Sequence, residues 1–223
     1  MTERQLVYLH GFASSAQSSK AAFLAERARQ VGMGFEAPDL NDPDFETLTI
    51  SRMIDRVGRL LTAMPAGPVT LIGSSLGAVV ALFSMQAEAS RRPDSLVLMA
   101  PAVDLVAGLT RELGAERIRH WQASDRLDVF HYADQMMRPL RWGFFADAAK
   151  YDPQNVSLAV PTLVFHGRRD ETVDSAAVER WAARRPGVTV RMLDDGHQLG
   201  ASLDLMWTEM QEFVRHRDHR ESL

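Results

Sequence analysis

Six short apolar runs, most of them separated by helical patterns, restrict this chain more than any other feature. They lie at residues 6–10, 34–38, 69–72, 95–99, 162–166 and 188–193. Runs that are apolar throughout, rather than on alternate residues, belong to strands buried on both faces, which is the habit of parallel sheets. The intervening segments supply the covering layers. Residues 18–30, 175–185 and 203–215 read as helices, and 46–62 carries Leu48, Met53, Ile54, Val57, Leu60 and Leu61 at three- and four-residue spacing. The expected architecture is therefore α/β, a mostly parallel sheet with helices on both faces.

Composition narrows the partners. At 223 residues, the chain fits one domain with a sizeable core, and 46% hydrophobic with 24% charged residues is ordinary globular usage. A net charge of −4 argues against a nucleic-acid partner, whose footprint is a basic excess. No apolar run approaches the roughly 18 residues that span a bilayer, and the first residues lack a signal-peptide pattern. A cytoplasmic protein without a membrane partner is expected. Zero cysteines exclude disulfides, thiolate metal sites and a cysteine nucleophile.

Residues 102–155 break the rhythm. They show no clear strand and concentrate Trp121, Phe130, Tyr132, Met136, Met137, Trp142, Phe144 and Phe145. Because the segment follows a strand's carboxyl end, it is expected to be a helical lid or cap. Trp121, Met136 and Trp142 are then candidates for lining an apolar substrate pocket.

Gly73-Ser74-Ser75-Leu76-Gly77 joins the run at 69–72 to a helix-like run rich in Ala, Val and Leu. Strand, G-x-S-x-G and helix together make the sharp turn that exposes a serine nucleophile. Ser75, the serine with glycine at both −2 and +2, is the candidate. A serine hydroxyl needs a base, usually an imidazole oriented by a carboxylate. Downstream, Asp170 follows the run at 162–166, and His197 follows the run at 188–193. Both turns fall at strand carboxyl ends, where open α/β sheets place ligands. Ser75, Asp170 and His197 are thus the candidate nucleophile, orienting acid and general base. Glu171 and Asp174 stand close enough to replace Asp170, and Asp194 and Asp195 to orient or solvate His197. His120, His131, His216 and His219 read as surface histidines. For an oxyanion, the candidate donors are the backbone N–H groups of Leu76 and of Phe12, in the loop after the first strand. His10 there reads as a brace.

Tyr8-Leu9-His10-Gly11-Phe12 and the following Ala13-Ser14-Ser15-Ala16-Gln17-Ser18-Ser19-Lys20-Ala21 resemble the opening of the small YqiA-like esterases. The Gly73–Gly77 elbow resembles theirs as well. The resemblance implies an α/β-hydrolase fold and activity toward acyl esters and thioesters. Two departures stand out: Ala78 follows the elbow where a third glycine is usual, and the resemblance does not extend to the insertion.

The leading expectation is a serine esterase or thioesterase that works through an acyl-enzyme. Its partner is a small acyl ester or thioester, and it requires no metal or organic cofactor. A carbon–carbon hydrolase or lyase on the same fold, and a non-enzymatic binding protein, are the alternatives.

Overall fold

A computed structural model describes residues 3–86 and 91–220, with side chains through Arg215. In chain order the elements are β1 (Gln5–Leu9), α1 (Ser19–Gln30), β2 (Gly34–Glu36), α2 (Ile50–Ala63), β3 (Val69–Ser74), α3 (Leu76–Ser84) and β4 (Ser95–Met99). Then follow α4 (Leu105–Ser124), β5 (Leu127–His131), β6 (Met136–Leu140), α5 (Gly143–Ala148), β7 (Thr162–Gly167), α6 (Ser175–Ala183), β8 (Val188–Leu193) and α7 (Leu203–Arg220).

Six strands form one sheet in the order β2-β1-β3-β4-β7-β8, and every pairing is parallel. All six apolar runs are strands of this sheet. Successive residues alternate between its faces, so each strand feeds two cores. Val7, Leu9, Leu71 and Leu98 pack with α2, α3 and α6, whereas Leu6, Tyr8, Ile72 and Val97 pack with α1 and α7. The chain leaves β1 in one direction for β2 and returns to the other side of β1 for β3. That reversal opens a crevice at the carboxyl ends of β1 and β3, the usual ligand position in such sheets.

The helices start where their caps dictate. Ser18 accepts from the Ala21 amide at α1, Thr49 from Arg52 at α2, and Asp174 from Ala176 at α6. The Thr49 cap explains why α2 begins at Ile50 rather than at residue 46. Asp44 accepts from the Thr47 amide and holds residues 44–47 in a turn instead.

The insertion differs from its sequence expectation. It contains not only helices but an antiparallel hairpin, β5 paired with β6. Pro139, opposite Asp128 in that hairpin, lacks the N–H that a central strand would need. A two-stranded ribbon has free edges on both sides and tolerates it. Two backbone hydrogen bonds tie the insertion to the body, and a third bond closes its base. The Tyr132 amide donates to Ala13 O, the Arg141 amide to Glu46 O, and Trp121 Nε1 to Leu140 O within the insertion's own base. Trp121, Leu140 and Phe144 belong to the same core as the strands. Among the described residues no helix is long and apolar enough to cross a membrane.

Candidate active site

The elbow is built by exclusion of side chains. Ser75 has φ 52° and ψ −111°, a conformation costly for a residue with a Cβ and one that concentrates at functional turns. Its amide donates to Met99 O at 2.9 Å and Ala78 N–H returns to Ser75 O at 3.1 Å, so backbone on both sides holds the strain. A Cβ on Gly73 would stand 2.5 Å from Ala78 Cα, and one on Gly77 2.1 Å from Leu9 O. Both positions admit only glycine. Ala78 does not disturb the elbow, because what approaches Gly73 is its backbone.

Three loops at strand carboxyl ends converge on Ser75. His197, after β8, places Nε2 3.1 Å from Ser75 Oγ and Nδ1 2.8 Å from Asp170 Oδ2, after β7. The second Asp170 oxygen accepts from the Thr172 and Val173 amides, each at 2.9 Å. Its carboxyl group is fully buried, and burial alone would raise its pKa. The hydrogen bonds from His197 and from the Val173 and Thr172 amides outweigh that, holding the carboxyl below its usual range. His166 Nε2 lies 3.5 Å from Asp170 Oδ2 and is bonded to Val173 O, and burial pushes its imidazole down toward the neutral form. The loops are close because a Cβ on Gly167 would meet Asp195 O at 2.4 Å.

The structure distinguishes Asp170 from its sequence rivals. Asp174 caps α6, Asp194 is an exposed partner of Arg169, and Asp195 accepts from Gly196 N–H and Ser202 Oγ. Ser74 points away from Ser75, behind the sheet, where Lys20 donates to its hydroxyl at 3.1 Å.

The loop of residues 10–13 lies against the elbow, with the Gly11 Cβ position 3.3 Å from Ser74 O. His10 is buried and braces it. Its Nδ1 lies 2.9 Å from Gly11 O, and its Nε2 lies 3.0 Å from the Leu40 amide and 3.3 Å from Asp39 Oδ1. Among the described residues, neither the Phe12 nor the Leu76 amide is paired with a protein acceptor. The Leu76 amide opens α3, whose first N–H groups have no partner within the helix.

The rings at this loop are not those the sequence suggested. Phe12 contacts Phe45 and Phe144, at 5.5 and 5.2 Å between centroids. Trp121 is 1% exposed, too enclosed to line an open pocket. Its ring meets Trp142 and Phe145, Trp142 stacks on Phe145, and Met136 is exposed on the hairpin. His131 is not a surface residue: it is buried at the end of β5 with its ring edge-on to Phe45. His120 is exposed as expected, and His216 and His219 lie outside the residues whose side chains are described.

The uncharacterised protein family UPF0227 has a model that matches residues 5–208. The chain belongs to this family, the YqiA-like family. No curated protein matches the chain. Solved structures do, and they establish the α/β-hydrolase fold. Mouse alpha/beta hydrolase domain-containing protein 10 superposes with a TM-score of 0.80 at 20% identity, over 95% of this chain and 90% of its own. Est1E from Butyrivibrio proteoclasticus, with ferulic acid bound, gives 0.80 at 19% identity, over 96% and 88%. An esterase from Pyrococcus furiosus gives 0.68 at 17% identity, over 96% and 83%.

Proposed function

We propose that this protein is a serine hydrolase of carboxylic esters or thioesters, acting through an acyl-enzyme. The observation that carries the reading is the unbroken chain from Ser75 Oγ to His197 Nε2 and from His197 Nδ1 to Asp170, at 3.1 and 2.8 Å. His197 takes the Ser75 proton as Oγ attacks the carbonyl carbon. The Phe12 and Leu76 amides receive the charge on the carbonyl oxygen, each donor contributing about 3 kcal/mol of transition-state stabilisation. His197 then protonates the leaving alkoxide or thiolate. In the second half it takes a proton from water, which attacks the acyl carbon and releases the acid, restoring Ser75. Asp170, kept ionised, holds the imidazole in the tautomer that presents Nε2 to Ser75 and stabilises the imidazolium.

The partly exposed Phe12 ring, backed by the buried Phe45 and Phe144 rings, offers an apolar contact for an acyl or aryl group. The ferulic acid in Est1E is in keeping with an aromatic acid at such a site. The deciding test compares wild type and Ser75→Ala on p-nitrophenyl acetate, butyrate and octanoate, together with fluorophosphonate labelling. Turnover and labelling that both vanish in a folded Ser75→Ala are expected. Retained turnover would move the nucleophile elsewhere, and a wild type inert to all four reagents would remove the esterase reading.

A further inference from the structure

Lys20 has no part in the triad, yet it lies against the back of it. It projects from the buried face of α1 beside Ala21, Leu24 and Ala28, with 9% of its surface exposed. Its ammonium donates to Ser74 Oγ, the residue before the nucleophile, at 3.1 Å. Among the described residues no carboxylate comes within ion-pair distance of it. Burying an ammonium without a direct partner costs several kcal/mol, and an aliphatic residue would fill this helix face without that cost. A charge retained under those conditions calls for a use.

We propose that Lys20 is a positioning residue of this site, whose positive charge fixes Ser74 behind the elbow and favours the oxyanion that forms on the other side of it. The inference rests on the esterase reading above. The charged and titratable groups that face Lys20 come from every neighbouring element. Tyr8 on β1 shares the Ser74 and Ser18 hydroxyls, and burial raises its pKa, so it stays neutral. Asp195 after β8 and Asp170 after β7 act on Lys20 through space and favour its charged form. His197 stands beyond Asp170. Burial outweighs the two carboxylates and pushes Lys20 down to about 8. Above that pH the amine releases its proton to solvent and gains a lone pair, so it can accept from the Ser74 hydroxyl as well as donate to it. The elbow then loses the nearby cation, and the direction of the Ser74 bond is no longer fixed.

The test is the pH dependence of p-nitrophenyl butyrate hydrolysis from pH 6 to 10, corrected for spontaneous hydrolysis, in wild type, Lys20→Met, Lys20→Arg and Ser75→Ala. Thermal melting accompanies each. Wild-type kcat/KM is expected to fall above about pH 8, the alkaline limb of a two-sided profile. Lys20→Met should melt no lower than wild type, because an apolar residue replaces a buried charge. It should still lose about tenfold in kcat with KM little changed, and lose the alkaline limb. Lys20→Arg should recover the rate at pH 7 and carry the limb beyond pH 10, since guanidinium stays protonated throughout. An alkaline limb unchanged in both Lys20 variants would overturn the inference while Ser75-dependent turnover left the esterase reading intact. If Lys20→Met does not fold, the position of the limb in Lys20→Arg decides. Turnover that does not depend on Ser75, or none at all, would overturn both.

Discussion

Asp170 takes one hydrogen bond from His197 and two from backbone amides while fully buried, and all three favour the ionised form. Its carboxyl is therefore held below the ordinary range in the fold, whereas in the unfolded chain it titrates near 4. The stabilisation it gives is complete above that unfolded value and disappears as pH falls through the folded one. Asp170→Asn keeps the size but loses the charge and presents an amide to His197. Turnover should drop by about a thousandfold or more, because the imidazole loses the partner that sets its tautomer. Melting at pH 7, 5 and 3 supplies the independent check. Wild type should be clearly more stable than Asp170→Asn at pH 7, and the gap should narrow as pH falls below about 4. A gap of the same size at pH 3 as at pH 7 would assign the difference to packing rather than to charge.

At the scale of elements, the strand-turn-helix units that carry Ser75, Asp170 and His197 were legible because each signal is local: an apolar run, then polar turn residues at its carboxyl end. The hairpin was not, since Pro139 in β6 argues against a strand unless its edge position is known. Nor was the ring set at Phe12, because Phe45 lies in a polar turn before α2 and Phe144 in the insertion, distant in sequence and joined only by the fold. Lys20 escaped for the same reason: its partner Ser74 is 54 positions away. The insertion's seat on α2 is also a long-range feature. Asp147 on α5 is buried and accepts from Ser51 N and Ser51 Oγ at 2.8 and 2.7 Å, and from Lys150 at 2.9 Å. Asp147→Ala would leave the Ser51 amide and hydroxyl without this acceptor in a part-buried place. The expected loss is about 2 kcal/mol, read as a lower urea midpoint. Turnover by the folded protein should survive, since Asp147 touches no group of the site.

Over the whole molecule, the insertion and the sheet share one core: Trp121, Leu140 and Phe144 pack into the same cluster as Leu71, Leu96 and Val164. A cap resting on its own small core would open before the rest, because local stability follows the apolar contacts that a segment shares with its neighbours. This one has no separate core to retain. The site is equally global. Ser75 and His197 are 122 positions apart and Asp170 comes from a third loop, so the chain of hydrogen bonds exists only when β3, β7 and β8 are assembled. Urea unfolding should then be a single transition seen alike by three probes. With Trp181 and Trp207 replaced by Phe, fluorescence reports Trp121 and Trp142 in the insertion, far-UV circular dichroism reports the sheet and helices, and ester hydrolysis reports the site. The three curves are expected to share one midpoint. A fluorescence change at lower urea, with circular dichroism still native, would show that the insertion unfolds as its own unit. Activity lost with that first change would further show that the hairpin's hold on Ala13 keeps the loop of residues 10–13 in place; activity that outlasted it would leave the elbow and the three strand-end loops sufficient.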